Sequence, residues 1–201
     1  MKFYSFSTSE NPTKAVIALH GYTGDINSMK PIAKMLNLKK TKWLIPEAPY
    51  KSPKKGYSWY YRDDKEKWKF KDSIKTISKV VQSAEREGFP KKKIYILGFS
   101  QGASITLEFL IRQNFSLGGI IPIAGFCTFK KKSKDKFSES NKKTRVLLIH
   151  GQNDEIVFPS ESKKSYRILK SHDYLVSIKL FPTCHKIPLK ARQIIQKFIY
   201  G

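Results

Sequence analysis

Six short apolar runs, at 15–19, 43–45, 94–97, 118–124, 146–149 and 174–180, alternate along the chain with stretches of helical patterning. This alternation limits the possible folds more than any other feature. A run of apolar residues with little polar alternation offers water no face, so as a strand it must be covered on both sides. Strand then helix, repeated, gives a mostly parallel central sheet with helices on both faces. The intervening stretches suit that role. In 69–87, Ile74, Ile77, Val81 and Ala84 share one helical face, and in 187–199 Ala191, Ile194, Ile195, Phe198 and Ile199 do the same. Both stripes read as core rather than as partner-binding faces. With 201 residues the chain can bury one sizeable core but not two ordinary domains and a linker, so a single α/β domain over 1–201 is expected.

Within this pattern Gly98-Phe99-Ser100-Gln101-Gly102 follows the strand-like Ile94-Tyr95-Ile96-Leu97 and precedes a helix-like stretch. A serine on a sharp strand-to-helix turn sits in a strained conformation, and the residues two before and two after it come too close for side chains. Glycine at 98 and 102 meets that requirement. Alone, such a pentapeptide also describes an ordinary glycine-rich turn. A nucleophilic serine of this kind needs an acid later in the chain and then a histidine, each on a loop that follows a strand.

Both follow in that order. Asp154 lies in His150-Gly151-Gln152-Asn153-Asp154, after the strand Val146-Leu147-Leu148-Ile149; as a turn residue it could also bond its own backbone, and its neighbour Glu155 is a second carboxylate in the same loop. His185 lies in Phe181-Pro182-Thr183-Cys184-His185, after the run 174–180, with a helix expected from near Ile187. Of the other three histidines, His20 precedes Ser100 and breaks the order. His150 is too near Asp154 to be an independent loop partner and reads as a strand-end packing residue. His172, in Ser171-His172-Asp173, reads as a solvated surface histidine.

Taken together, Leu19-His20-Gly21-Tyr22-Thr23-Gly24-Asp25, Gly98–Ala103, His150–Asp154 and Cys184-His185 resemble, in order, the motifs of the phospholipase/carboxylesterase family of α/β-hydrolases, which includes small bacterial carboxylesterases and acyl-protein thioesterases. A weaker match joins Pro46-Glu47-Ala48-Pro49 to Gly56-Tyr57-Ser58-Trp59-Tyr60. The resemblance implies an α/β-hydrolase fold without a separate cap domain. It implies Ser100 as nucleophile, Asp154 as buried acid and His185 as base, and an oxyanion hole made by the backbone N–H groups of Tyr22 and Gln101. It also implies a serine hydrolase of carboxylic esters or thioesters of small to medium acyl length, with lysophospholipase-like activity as the alternative. Two departures are Gln152, where many relatives carry a further acidic residue, and Ala103, where glycine is frequent. Neither touches the implied chemistry.

No metal or organic cofactor is expected: the chain has no H-E-x-x-H, no zinc-like cysteine spacing and no G-x-G-x-x-G. Tyr22, Trp59, Tyr60, Phe126 and Phe158 fall in or beside loops at the carboxyl ends of the strands, where they could line an acyl pocket or simply pack beneath the loops. Cys127 and Cys184 cannot make a disulfide framework, the N-terminal residues lack an apolar leader core, and no run approaches a membrane span, so a cytoplasmic protein is expected.

The formal charge of +23 is unexplained by hydrolysis. Lysine is spread over most surface segments and crowds at 130–143, read as an exposed loop and a flap over the site. Such a charge attracts anionic lipid surfaces, acidic substrates or nucleic acid. The chain has no nucleic-acid-binding module, which makes nucleic acid an unlikely partner and anionic lipid a possible transient one. A basic binding protein on a hydrolase scaffold is the competing reading. Retention of serine, acid and histidine in order argues against it.

Overall fold

The computed structural model describes residues 2–65, 67–128 and 137–201. The strands are β1 (Phe3–Ser7), β2 (Lys14–Leu19), β3 (Thr41–Pro46), β4 (Tyr50–Lys51), β5 (Tyr57–Ser58), β6 (Tyr61–Arg62), β7 (Trp68–Lys69), β8 (Ile94–Phe99), β9 (Gly119–Ile123), β10 (Arg145–Gly151) and β11 (Val176–Phe181). The helices are α1 (Ile26–Leu36), α2 (Lys71–Arg86), α3 (Gln101–Arg112), α4 (Pro159–Lys170) and α5 (Ala191–Tyr200). Seven strands form the central sheet in the order β1-β3-β2-β8-β9-β10-β11, parallel except for β1, which pairs antiparallel with β3. β4 pairs with β5 and β6 with β7 as two small ribbons between β3 and α2.

The period of two along each strand sends alternate side chains to opposite faces. On β2, Ala15, Ile17 and Leu19 face one cluster of buried residues, whereas Val16 and Ala18 face the other. β8 and β10 divide likewise, Ile96 and Leu148 on the first face, Leu97 and Ile149 on the second. The first face is covered by α2, α3 and α4, the second by α1 and α5. α1 supplies Met29, Ala33 and Leu36 from a helix begun by Asp25, whose carboxylate accepts from Ser28 N–H while Ser28 Oγ accepts from Asp25 N–H. That reciprocal cap satisfies donors the first turn leaves open. Among the described residues no helix is long and apolar enough to cross a membrane.

Three local expectations change. The chain begins with an additional strand, β1, which the six apolar runs do not reveal because it is half-buried at a sheet edge. The last helix starts at Ala191 rather than near Ile187, since Pro188 limits the residue before it to extended conformations. Residues 130–136 of the lysine-rich segment lie outside the described residues, but 137–143 are not simply exposed. Asn141 is buried and donates to Leu110 O and Gln113 O at the end of α3, while Tyr174 donates to its side-chain oxygen.

Candidate active site

β8 passes into α3 through Ser100, whose φ of 54° and ψ of −115° are unusual for a residue with a side chain. A conformation of this kind costs roughly 1–3 kcal/mol and persists only where its surroundings hold it. Ser100 N–H donates to Ile123 O of β9 at 2.9 Å, and Ser100 O accepts from Ala103 and Ser104 N–H at the start of α3. The flanking glycines have a steric cause. A Cβ on Gly98 would stand 2.2 Å from Gly102 O, and one on Gly102 would stand 2.4 Å from Leu19 O of β2.

Asp154 and His185 come from the loops after the next-but-one strand and the edge strand, β10 and β11. The loops meet backbone to backbone: Gln152 N–H donates to Phe181 O, Asn153 N–H donates to Thr183 O, and Gly151 lies where a Cβ would be 2.2 Å from Thr183 O. His185 Nε2 is 2.9 Å from Ser100 Oγ and His185 Nδ1 is 2.7 Å from Asp154 Oδ2. The three side chains singled out by sequence order are thus one hydrogen-bonded line. Asp154 is 2 % exposed, whereas Glu155 points to solvent. Asp154 Oδ1 accepts from Ile156 and Val157 N–H at 3.0 and 2.9 Å. Burial opposes its charge, but the bonds from His185 and from these two N–H groups outweigh that and hold the carboxyl below its ordinary range.

On the other side of the serine lies the loop after β2. A Cβ on Gly21 would come within 3.4 Å of Ser100 Cβ, so the peptide joining Gly21 to Tyr22 borders the elbow. Its shape is fixed from three directions. Thr23 N–H donates to Tyr57 O and Tyr57 N–H to Gly24 O. His20 Nδ1 lies 2.7 Å from Gly21 O, and His20 Nε2 accepts from Ala48 N–H. Trp59 Nε1–H donates to His20 O. His20 is therefore a buried scaffold residue whose partners place its proton on Nδ1, and burial lowers its proton affinity. Beside His185, Tyr22, Met29, Ile32, Phe99 and Ile187 line a cleft of about 460 Å³ with Lys55 and Lys186 also on its wall.

A profile of the phospholipase/carboxylesterase family matches residues 5–201. The chain belongs to that family. It is an enzyme that hydrolyses carboxylic esters or thioesters. Carboxylesterase SOBER1 of Arabidopsis thaliana is 26 % identical over 204 residues, covering 92 % of this chain and 88 % of that protein. Acyl-protein thioesterase 1 of Kluyveromyces lactis is 35 % identical over 111 residues, covering 52 % of this chain but only 49 % of the relative. Among solved structures, a phospholipase/carboxylesterase from Dyadobacter fermentans superposes with a TM-score of 0.80 at 26 % identity, over 100 % of this chain and 96 % of that one. The crystal structure of SOBER1 gives 0.81 at 23 % identity, over 92 % and 97 %.

Several features of this family member were not foreseen from its sequence. The Gln101 side chain, not only its backbone, holds the site: Oε1 accepts from Trp59 N–H at 2.7 Å and Nε2 donates to Tyr60 O at 3.0 Å. Trp59 and Tyr60 are accordingly core residues and line no part of the cleft; Phe126 packs edge-on against Tyr60, while Phe158 is 62 % exposed at the start of α4. His172 is not simply solvated, because its ring stacks on Phe137 at 3.8 Å. His150, set aside as too near Asp154, in fact touches it, with Nε2 3.2 Å from Asp154 Oδ2. Spacing could not reveal this contact, since it depends on how the loop after β10 curls back. Among the described residues no group of three or more His, Cys, Asp or Glu is arranged to hold a metal.

Proposed function

We propose that the protein cleaves its ester or thioester through an acyl-enzyme on Ser100, with His185 as base and Asp154 as acid. The observation that carries this reading is the line from Ser100 Oγ through both nitrogens of His185 to Asp154 Oδ2, in steps of 2.9 and 2.7 Å. The carboxylate accepts only, so His185 Nδ1 carries the proton and Nε2 is a free base facing the serine hydroxyl. As Oγ attacks the acyl carbonyl, Nε2 takes its proton, and Asp154 stabilises the imidazolium that results. The charge that develops on the carbonyl oxygen is met by the backbone N–H groups of Tyr22 and Gln101. Gln101 is the first residue of α3, so its N–H has no acceptor within the helix and stands at the positive end of the helix dipole. The leaving alcohol or thiol departs with the proton from His185, and water repeats the sequence on the acyl-enzyme. Apart from the hydrolytic water, each step uses groups of the chain alone, without metal or cofactor.

The substrate is proposed to carry a small to medium acyl chain. A cleft of about 460 Å³ beside His185 supports this, since ligand clefts run roughly 300–1,000 Å³. We further propose that one domain without a cap performs the reaction in the cytoplasm, with transient contact at anionic lipid surfaces favoured by the +23 charge. The decisive experiment is hydrolysis of p-nitrophenyl esters from acetate to palmitate and of an acyl thioester. Ser100→Ala should abolish turnover, and Asp154→Asn should lower kcat by roughly 10³–10⁴. Undiminished turnover by folded Ser100→Ala would reject the reading. Sedimentation with anionic vesicles at low and high salt tests the lipid contact, which salt-insensitive or absent binding would remove.

A further inference from the structure

His150 is a fully buried imidazole for which the mechanism above has no use. It stands at the end of β10 with Nδ1 2.6 Å from Ser162 Oγ of α4 and Nε2 2.7 Å from Val157 O. A carbonyl only accepts, so Nε2 bears the proton. Nδ1 then offers a lone pair, which takes the Ser162 O–H. The same Nε2–H edge faces Asp154 Oδ2 at 3.2 Å, the oxygen to which His185 donates. Val157 is thereby held at both ends of its backbone, its N–H by Asp154 Oδ1 and its C=O by His150. The titratable groups facing His150 are Asp154 and His185, and α4 presents only the Ser162 hydroxyl. Burial, the largest influence, lowers its proton affinity against the opposing pull of Val157 O and Asp154.

We propose that His150 is a positioning residue: a neutral imidazole, with its proton on Nε2, that pins the turn from Asp154 to Val157 and fixes the face that Asp154 turns toward His185. Without that pin Val157 can shift as a residue, displacing its N–H, a donor to Asp154 Oδ1, and the carboxylate loses the alignment that orients His185. Misplacements of about an ångström cost catalysis up to about 10²-fold without weakening substrate binding. This inference rests on the assignment of Asp154 as the acid.

Glutamine and asparagine separate the two ring nitrogens. In His150→Gln the amide reaches where Nε2 stood and still donates to Val157 O; in His150→Asn it reaches only the Nδ1 position and the bond to Ser162. Expected for His150→Asn is a kcat on the order of 10-fold or more below wild type with KM unchanged, and for His150→Gln recovery of most of that loss. Equal losses in the two variants, a loss carried by KM, or wild-type kcat in folded His150→Asn would overturn the proposal. ¹⁵N NMR of the wild-type imidazoles provides a test that needs no variant to fold: at pH 7.5 the neutral His150 ring should carry its proton on Nε2, and an Nδ1-protonated ring would refute the proposal. Ser100→Ala is the control that separates the two levels. If it abolishes turnover while His150→Asn changes nothing, this inference alone fails; if it leaves turnover intact, the catalytic assignment fails and takes the inference with it.

Discussion

Replacing Gln101 with alanine separates the backbone of this residue from its side chain. The backbone N–H, proposed to stabilise the oxyanion, survives the change. What is lost is the amide that binds Ser58, Trp59 and Tyr60. Tyr60 O is still served, because Ser58 Oγ–H donates to it at 2.6 Å. Trp59 N–H is not, and a buried unpaired donor costs about 1–3 kcal/mol. The void left by the missing side-chain atoms adds about 1 kcal/mol. The sum is about 2–4 kcal/mol, which for a chain of 201 residues lowers Tm by roughly 5–15 °C. Gln101→Glu should fare no better, since it keeps an acceptor for Trp59 but turns an anionic oxygen toward Tyr60 O. Urea titration gives the stability, with an unchanged m-value as the check on two-state behaviour, and turnover per folded molecule should stay within about tenfold of wild type. A Tm within 2 °C of wild type for Gln101→Ala would refute the assignment of the amide. Stability retained with turnover abolished would instead show that the side chain acts in the chemistry.

Gly98→Ala should destabilise by at least about 3 kcal/mol or prevent folding, because its Cβ meets a backbone carbonyl rather than a side chain that can move; soluble protein with wild-type Tm would contradict the elbow geometry. Asp25, capping α1, is partly desolvated, but bonds from Ser28 and Asn27 prevail and hold its carboxyl below the ordinary 3.8. A lowered folded value means that the stabilisation is present above the unfolded value and disappears as pH falls through the folded one. Asp25→Ala should therefore cost about 1 kcal/mol at pH 7 and progressively less as pH falls through the folded value, measured by denaturant titration across that range. A thiol reagent should modify exposed Cys184 quickly and buried Cys127 only on unfolding, since burial both shields that thiol and raises its pKa; two equally fast thiols would refute this.

The central sheet and the meeting of Ser100, His185 and Asp154 are legible because each rests on local pattern plus chain order. The almost fully buried parallel strands β2, β8, β9 and β10 leave continuous apolar runs. The run at 174–180 instead gives β11, an edge strand whose residues alternate between half-buried and exposed rather than being covered on both sides. The serine, acid and histidine follow one another in chain order. What escaped depends on approach in three dimensions. β1 has only Phe3 and Phe6 to pack against the core, so its composition resembles a loop. The sequence points to the Gln101 N–H, but the reach of its side-chain amide to a loop some forty residues earlier has no signature in spacing. His150 stands four residues from Asp154, a separation that rules out contact along a strand but not around a turn. The exposed and solvated expectations for 137–143 and His172 hold only in part, for the same reason: Glu139, Ser140 and Lys143 are exposed, but Asn141 and Phe137 find partners on α3 and beside β11.

The position of β11 has a consequence for how the protein comes to life. It is the strand at one edge of the sheet, joined to it through β10 alone, and His185, the proposed base, follows its far end. Hydrophobic collapse, the burial of both faces of β2 and β8, and even formation of the serine turn can all precede the docking of this strand. Turnover cannot. With His185 as the proposed base, the return of activity in a refolding experiment should follow the docking of this strand, and a chain that has built most of its core without it should not attack an ester.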